Sequence, residues 1–592
     1  MIHFASIGLG TTLAPGIVWA RMQDAGTTTI TLAMVTDAMK LSGLDNFTEA
    51  ELKAMVESAN QNLTRFEEMR AIHIPNDVSP PFHFSPLVPG MEVNRAKLPF
   101  RLSAAPAVKR PANLEEVAFW PVRHLAELLR TKQVTSVELT SMYLARLHRY
   151  NAKLNNVVTF RDDVAMAEAK RADAEIAAGR YKGPLHGVPW GAKDIISVKG
   201  YTTTWGSPAF KEQSFDYDAS IVEMLREAGA VLVAKLTTGE LASGDNWFGG
   251  QTKNPWNLSQ GSSGSSAGPS SATAAGVVGF AIGTETSGSI LSPAARCGLA
   301  GLRPTFGRIS RYGVMALSWT QDRLGPICRY AEDCAIVMQA IAKPDGRDMS
   351  VSDIPFNWNA QLDVKKLRVG IIKESFDELT TDAVRHNASQ VLETLKTIGT
   401  VKLVPIAVPD FTTNVSAINV ESVVFFDEHA RAGRMKEARN GGRPSGRLIP
   451  AVEYLRSQRV RMMMMEKLAA ATANVDVYIV AANPSTGGGP ALSSAEGPAA
   501  ATTASEPPAL SSAEGPRPQT PQTVTQRHFA MANLACYPAI NVPNGFLETG
   551  SPTNVTFYGR PFGEMEVIAL AKAYQDAAGI HLKHPAAIES SN

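Results

Sequence analysis

At 592 residues the chain is long enough to bury a large core and to carry extensions around one main domain. Its 57 basic and 56 acidic side chains nearly cancel, which removes the electrostatic case for a nucleic-acid partner or a charged membrane surface. The four cysteines (Cys297, Cys328, Cys334, Cys536) form no CxxC pair and have no histidines at metal spacing. They read as small packed side chains, so neither a disulfide framework nor a metal site is expected, and no cofactor motif stands elsewhere.

Residues 1–20 form a leader-like apolar segment. Phe4 to Ala20 is almost uncharged and closes on Val18-Trp19-Ala20, similar to a processing site, yet no Lys or Arg precedes it. It reads equally as an incomplete export signal or a buried helix, leaving an exported, periplasmic location and a cytoplasmic one both open. No other stretch is long and apolar enough to span a bilayer, so no stable membrane insertion is expected. Residues 21–115 read as a helical N-terminal arm followed by a Pro-rich connector. In the arm, Thr48-Glu-Ala-Glu51 is a capping box opening a helix whose Leu52, Met55, Val56, Ala59, Leu63 and Phe66 share one face. The connector runs from Pro75 to Pro111 around Pro80-Pro81. Packing of the arm on the main body is expected in preference to a partner-binding role.

Residues 116–592 read as the main domain. Thr135-Ser-Val-Glu138 is a second capping box, continued by the stripe Leu139, Met142, Tyr143, Leu147. Helical runs then alternate with short β-branched runs at 230–234, 367–372, 401–405 and 475–480. That alternation predicts an α/β layered fold with a mixed central sheet. Within the domain, residues 486–525 turn to Gly, Pro, Ala, Ser and Thr and contain Pro-Ala-Leu-Ser-Ser-Ala-Glu-Gly-Pro twice. A segment so poor in branched apolar residues reads as a flexible surface insertion, a passive loop rather than a lid.

The chemistry concentrates in residues 261–293, rich in Gly, Ser, Ala and Thr, where the backbone can turn tightly and approach a ligand. Gly264-Ser-Ser266-Ala-Gly268 satisfies GxSxG, but the residues before it are polar and turn-forming instead of the buried strand a nucleophile elbow follows. An apolar run from Ala274 to Thr284 marks a buried segment, which a linker would not need. Strong motifs flank the stretch: Gly187-Val-Pro-Trp-Gly-Ala-Lys193-Asp194, then Gly283-Thr-Glu-Thr-Ser-Gly-Ser289-Ile, then Cys297-Gly-Leu-Ala-Gly-Leu-Arg-Pro-Thr305. Asn533-Leu-Ala, Pro538-Ala-Ile-Asn-Val-Pro and Gly559-Arg-Pro-Phe follow in order.

These motifs, over roughly residues 120 to 578, resemble those of the amidase signature family of serine hydrolases. The resemblance implies the amidase signature fold, a mixed central β-sheet with helices on both faces. It also implies an amidase cleaving carboxylic amide C–N bonds, and esters or carbamates in some members, through a Ser-cisSer-Lys triad and an acyl-enzyme. Ser289 takes the nucleophile's place, Lys193 the base's, and Ser265, 24 residues before Ser289, the relay serine's. Ser262 and Ser263 fall out of register. A serine hydroxyl needs a neighbouring base, and a lysine can serve only if burial keeps it neutral. Backbone N–H groups of Thr286, Ser287 and Gly288, with that of Ser289, would hold the oxyanion, and Ser266 would support the relay. Asp194 reads as structural and His186 as a core histidine. Trp247 and Phe248 are offered for the pocket lip.

Departures from the family pattern are Leu291 where arginine is common, Ser287 for glycine, Glu285 for aspartate, and Ala267 and Pro269 in the serine loop. None removes a catalytic group, but together they mark a divergent branch. The expected partner is a small-molecule amide substrate, with a homodimer as an open option. Two alternatives stand beside the amidase: a glutamine-dependent amidotransferase of the kind that works as one component of a larger enzyme (its A component), and a non-catalytic binding protein on the same fold.

Overall fold

A computed structural model describes residues 29–41, 47–70, 72–73, 84–400, 402–413, 415, 417–438, 444–483 and 522–586, with side-chain environments for 61–70 and 444–445 left aside. The leader at 1–20, Pro80-Pro81 and most of the insertion expected at 486–525 lie outside the described residues. The insertion's expected end is too long at its C-terminal side: Val524 already opens the helix Val524–Leu534, capped by a Thr523/Gln526 box. Thr and Val pass for low-complexity filler in a composition window, and only the cap bonds distinguish them.

The architecture is the mixed sheet expected, with eleven strands. In chain order they are β1 (Val157–Phe160), β2 (Pro189–Lys193), β3 (Val231–Leu236), β4 (Phe280–Glu285), β5 (Ala300–Arg303), β6 (Arg323–Cys328), β7 (Val369–Ile371), β8 (Leu403–Pro405), β9 (Val477–Ala481), β10 (Ala539–Phe546) and β11 (Pro552–Gly559). They lie side by side as β1-β3-β2-β4-β6-β5-β10-β11-β9-β7-β8. β3, β2 and β4 run parallel, as do β9, β7 and β8, and the remaining neighbours are antiparallel. The four β-branched runs become β3, β7, β8 and β9, each within two residues of expectation.

Alternation along the central strands feeds two cores. Trp190, Leu232, Phe280 and Ile282 join one apolar cluster with the helices Ala331–Ile341 and Glu564–Ala578. Val231, Val233 and Ala281 join another with the helices Ser136–Leu154 and Asp162–Ala177. Helices therefore cover both faces, because side chains one apart on a strand point to opposite sides. The expected stripe Leu139, Met142, Tyr143 and Leu147 is buried, and the Thr135/Glu138 capping box is formed. Thr135→Ala is expected to lower stability by about 1 kcal/mol, read as a shift in a urea denaturation midpoint. All four cysteines are buried.

The arm's two helices share a core of their own, and just beyond them His73 meets Glu428 of the main domain at 2.7 Å. Met55 and Ala59 do share the buried face of the helix Glu49–Arg70, but they pack on Met34, Val35, Ala38 and Met39 of the helix Leu32–Leu41 in a small core of their own. Asn60 ties the pair by exchanging hydrogen bonds with Ile30. The connector from residue 84 onward carries neither helix nor strand and is pinned where Ser103 donates to Glu332.

Candidate active site

Lys193 ends β2, an interior strand third from one edge of the sheet, and is fully buried. Its ammonium nitrogen donates to two hydroxyls, Ser265 Oγ at 2.8 Å and Thr284 Oγ1 at 2.8 Å. Thr284 sits on β4, the parallel neighbour of β2, so two adjacent strands aim both groups at one point. No carboxylate pairs directly with this lysine among the described residues. Burial accordingly pulls its pKa down from 10.5 to about 7, with the more distant charges of Asp322 and Glu285 pushing weakly the other way.

Ser265 precedes the helix Ala267–Ala274, after a cis Gly264–Ser265 peptide. Gly264 lies so close to the Gly244 carbonyl that a Cβ would stand 1.8 Å from its oxygen, so only glycine fits. Neither Ser262 nor Ser263 bonds the lysine: Ser262 Oγ donates to the Ser263 carbonyl, Ser263 N–H donates to Asp245, and Ser263 Oγ has no partner among the described residues. The strand before this loop, Asn257–Gly261, belongs to a small, partly exposed hairpin, unlike the buried strand of a nucleophile elbow.

Ser266 links the lysine side to the Ser289 side. Its hydroxyl donates to the Thr284 carbonyl and accepts the Thr284 N–H, both at 3.1 Å. Its own N–H donates to the Ser289 carbonyl at 3.1 Å. Ser289 is partly exposed, in the turn between β4 and the helix Leu291–Arg296. The N–H groups of Ser287, Gly288 and Ser289 donate to no acceptor among the described residues. Gly288 holds φ +96°, where a Cβ would also meet the Phe529 ring at 2.8 Å.

In the sequence Glu285 registers only as a departure, yet in the fold it organises the back of this turn. Its Oε2 accepts the N–H of Ile290 at 2.8 Å and of Leu291 at 2.9 Å, and its Oε1 meets Arg303 at 3.0 Å. Burial would raise its pKa, but Arg303, Arg323 and the two N–H donors outweigh it and hold the carboxyl below its usual range. Arg303 in turn donates to Asn533 and to the Tyr537 carbonyl, and Arg323 donates to the Thr286 carbonyl at 2.9 Å. The Arg in Cys297-Gly-Leu-Ala-Gly-Leu-Arg303 and the Asn of Asn533-Leu-Ala thus meet behind the turn, a link no spacing rule reveals.

Asp194 points away from this point and forms a buried pair with Lys235 at 2.9 Å, while accepting the Thr204 N–H. His186 is fully buried, accepts the Lys182 N–H through Nδ1, and lies far along the chain from the serines. A narrow cavity of about 40 Å³ opens beside Thr284 and Thr286. Its wall includes Trp319, whereas Trp247 and Phe248 are not among its lining residues. These two meet edge to face in a separate hairpin, with Phe248 N–H bound to the Gly206 carbonyl.

Lys193 is thus buried without a direct counter-ion, Ser265 accepts from its nitrogen, and Ser289 stands in a part-buried turn whose N–H groups have no acceptor among the described residues. The sheet order and this site define the class of amidase signature enzymes. The family model described as Amidase matches residues 138–568, and the chain belongs to that family. Curated relatives include the glutamyl-tRNA(Gln) amidotransferase A subunit of Geobacter metallireducens, 33% identical over 498 residues, 78% of this chain and 97% of that protein. The protein of the same name from Methylococcus capsulatus is 33% identical over 78% of this chain and 99% of its own length. Among solved structures, the peptide amidase from Stenotrophomonas maltophilia superposes with a TM-score of 0.63 at 27% identity, over 78% of this chain and 98% of that one. Among the described residues, no helix is long and apolar enough to cross a membrane.

Proposed function

We propose that the protein is an amidase that hydrolyses carboxylic amide bonds through an acyl-enzyme on Ser289. The observation that carries this reading is the hydrogen bond from the buried Lys193 to Ser265, with no carboxylate to keep the lysine charged. Neutral Lys193 takes the Ser265 proton as Ser265 takes that of Ser289, so the Ser289 oxygen attacks the amide carbon. The carbonyl oxygen gathers negative charge at the N–H groups of Ser287 and Gly288, with those of Thr286 and Ser289 beside them; a donor of this kind is worth about 3 kcal/mol. The proton returns through Ser265 to the leaving nitrogen, the C–N bond breaks, and water hydrolyses the ester. Ser266 keeps the two serine segments in register.

A second reading has specific support. The curated relatives quoted above are glutamyl-tRNA(Gln) amidotransferase components matched over nearly their whole length, and on their side the same amide-cleaving steps would release ammonia from glutamine within a multi-component enzyme. That comparison covers 78% of the chain. One experiment separates the readings. Purified protein alone should hydrolyse a neutral anilide and label with a fluorophosphonate at Ser289, the label vanishing in Ser289→Ala. Glutaminase activity that appears only with added partner proteins would establish the second reading, and labelling at another serine would remove both.

A further inference from the structure

Three successive residues grip Thr286, two residues before Gly288 in the Ser289 turn. Gln321 Nε2 and Arg323 Nη2 both donate to its carbonyl, at 3.3 and 2.9 Å, and Asp322 accepts its hydroxyl at 2.6 Å. The sheet delivers them there, because Arg323 opens β6 directly opposite Glu285, the last residue of β4. Side chains at the start of β6 therefore reach the first residues of the turn. The Thr286 carbonyl and the Ser287 N–H belong to one planar peptide group, and that N–H has no acceptor among the described residues. Arg323 thus holds one end of the peptide whose other end receives the oxyanion in the proposed mechanism.

The charge on Arg323 is otherwise uncommitted. The residue is 2% exposed, and its Nε and Nη1 have no partner among the described residues. Besides Thr286, its Nη2 meets the Asn533 amide oxygen at the longer distance of 3.3 Å. The carboxylates nearby are engaged with other groups. Glu285 takes Arg303 and the N–H groups of Ile290 and Leu291. Asp322 takes Thr286 Oγ1 and the N–H groups of Leu317 and Ser318. A buried arginine with no ion pair is costly to a fold, and that cost is offset when negative charge develops beside it during a reaction.

We propose that Arg323 is a positioning residue for the oxyanion: its charge on the Thr286 carbonyl polarises the Thr286–Ser287 peptide and makes the Ser287 N–H a stronger donor to the oxygen that gains charge when Ser289 attacks. The inference rests on the amide-cleaving centre proposed above. A charged donor on a carbonyl strengthens the hydrogen bond given by the N–H of the same peptide, most of all where water is excluded. The oxygen of an unreacted amide carries little charge, so the arginine acts on the transition state and hardly on substrate binding. Asp322, bonded to the Thr286 hydroxyl and not to the peptide, fixes the orientation of the same residue.

The test uses the full-length protein, the variants Arg323→Met and Arg323→Lys, a neutral anilide and an aryl trifluoromethyl ketone. The ketone mimics the intermediate: the Ser289 oxygen bonds to its carbonyl carbon, the carbonyl π electrons move onto its oxygen, and the serine proton passes through Ser265 to Lys193. Arg323→Met is expected to lower kcat by about tenfold to a hundredfold with KM nearly unchanged, and to weaken the ketone by a similar factor. Its urea midpoint should be no lower than that of the unaltered protein, because an unpaired buried charge has gone. Arg323→Lys returns a charge to the carbonyl and should recover most of the lost kcat and ketone affinity, which a residue that only packs would not show. Should Arg323→Met fail to fold, Arg323→Gln, neutral but still polar, is compared with Arg323→Lys by the same measures. The ketone needs no turnover, so its affinity decides the inference even if the anilide is not a substrate. A neutral variant within about threefold of the unaltered protein in kcat and ketone affinity overturns the inference, as does a lysine variant no better than the neutral one. Fluorophosphonate labelling of Ser289 in the unaltered protein distinguishes that failure from failure of the amidase reading. Labelling there leaves the amidase reading standing, whereas a protein that neither labels at Ser289 nor binds the ketone removes both.

Discussion

Lys193→Met is expected to abolish turnover, by at least about a thousandfold in kcat, and at the same time to make the fold more stable. In the proposed mechanism the loss of activity follows from removing the group that would receive the Ser265 proton, since a serine without its base retains only what binding and the oxyanion donors supply. The gain in stability follows from the same burial. Lys193 falls from 10.5 to about 7 in the fold, and each pKa unit is worth about 1.4 kcal/mol. Below pH 7 both folded and unfolded chains carry the proton, and the fold bears the whole cost of burying an ammonium group. Between about 7 and 10.5 the unfolded chain binds more protons than the folded one, so stability rises with pH through that window. Methionine removes this cost but leaves the Ser265 and Thr284 hydroxyls without their donor, at about 1 kcal/mol each. The net expectation is about 3 kcal/mol of added stability at pH 6, fading toward pH 10, measured by urea denaturation at both pH values. The same pKa makes kcat/KM of the unaltered enzyme climb as pH rises through about 7 and level off above it. A flat profile between pH 6 and 9 would assign the base to another group.

Glu285→Ala is expected to do damage of a different kind. The carboxylate accepts the two N–H groups that follow Ser289 and balances Arg303. Removing it strands a buried guanidinium and two backbone donors, a loss of about 3 to 5 kcal/mol. Thermal denaturation should register a fall in Tm of about 3 to 4 °C. Glu285 does not touch the point where Lys193 and Ser265 meet, so it is a positioning residue, and the milder variants reveal that. Glu285→Gln should lower kcat by about tenfold to a hundredfold with KM nearly unchanged. Glu285→Asp keeps the charge but shortens the reach, and should fall between the two. An unchanged kcat in Glu285→Gln would reduce the residue to a stability role.

Glu285 also shows where reading a sequence stops. Its spacing from Ser289 is visible, and so is its departure from the family's aspartate. Its partners are 18 residues away at Arg303, through Arg303 a further 230 away at Asn533, and by ladder pairing at Arg323, separations that carry no periodic signal. β2 makes the same point about the fold. Pro-Trp-Gly-Ala-Lys has weak strand propensity, yet it forms a fully buried strand because β3 and β4 pair with it on both sides. Its proline occupies the first position, where a missing N–H is tolerated. The arm divides similarly. The capping box and apolar face of the helix Glu49–Arg70 are local features, whereas its partner at Leu32–Leu41 and their separate core are not.

By itself, then, the sequence determined the α/β layering, four strands, two capping boxes and the motifs that carry Lys193, Ser265 and Ser289, all of which depend on residue types at short, regular spacing. Only the tertiary structure decided which serine meets the lysine, how far burial lowers that lysine's pKa and what braces the Ser289 turn. Those properties depend on distance and dielectric between residues far apart in the chain. They exist only once the sheet has closed and excluded water.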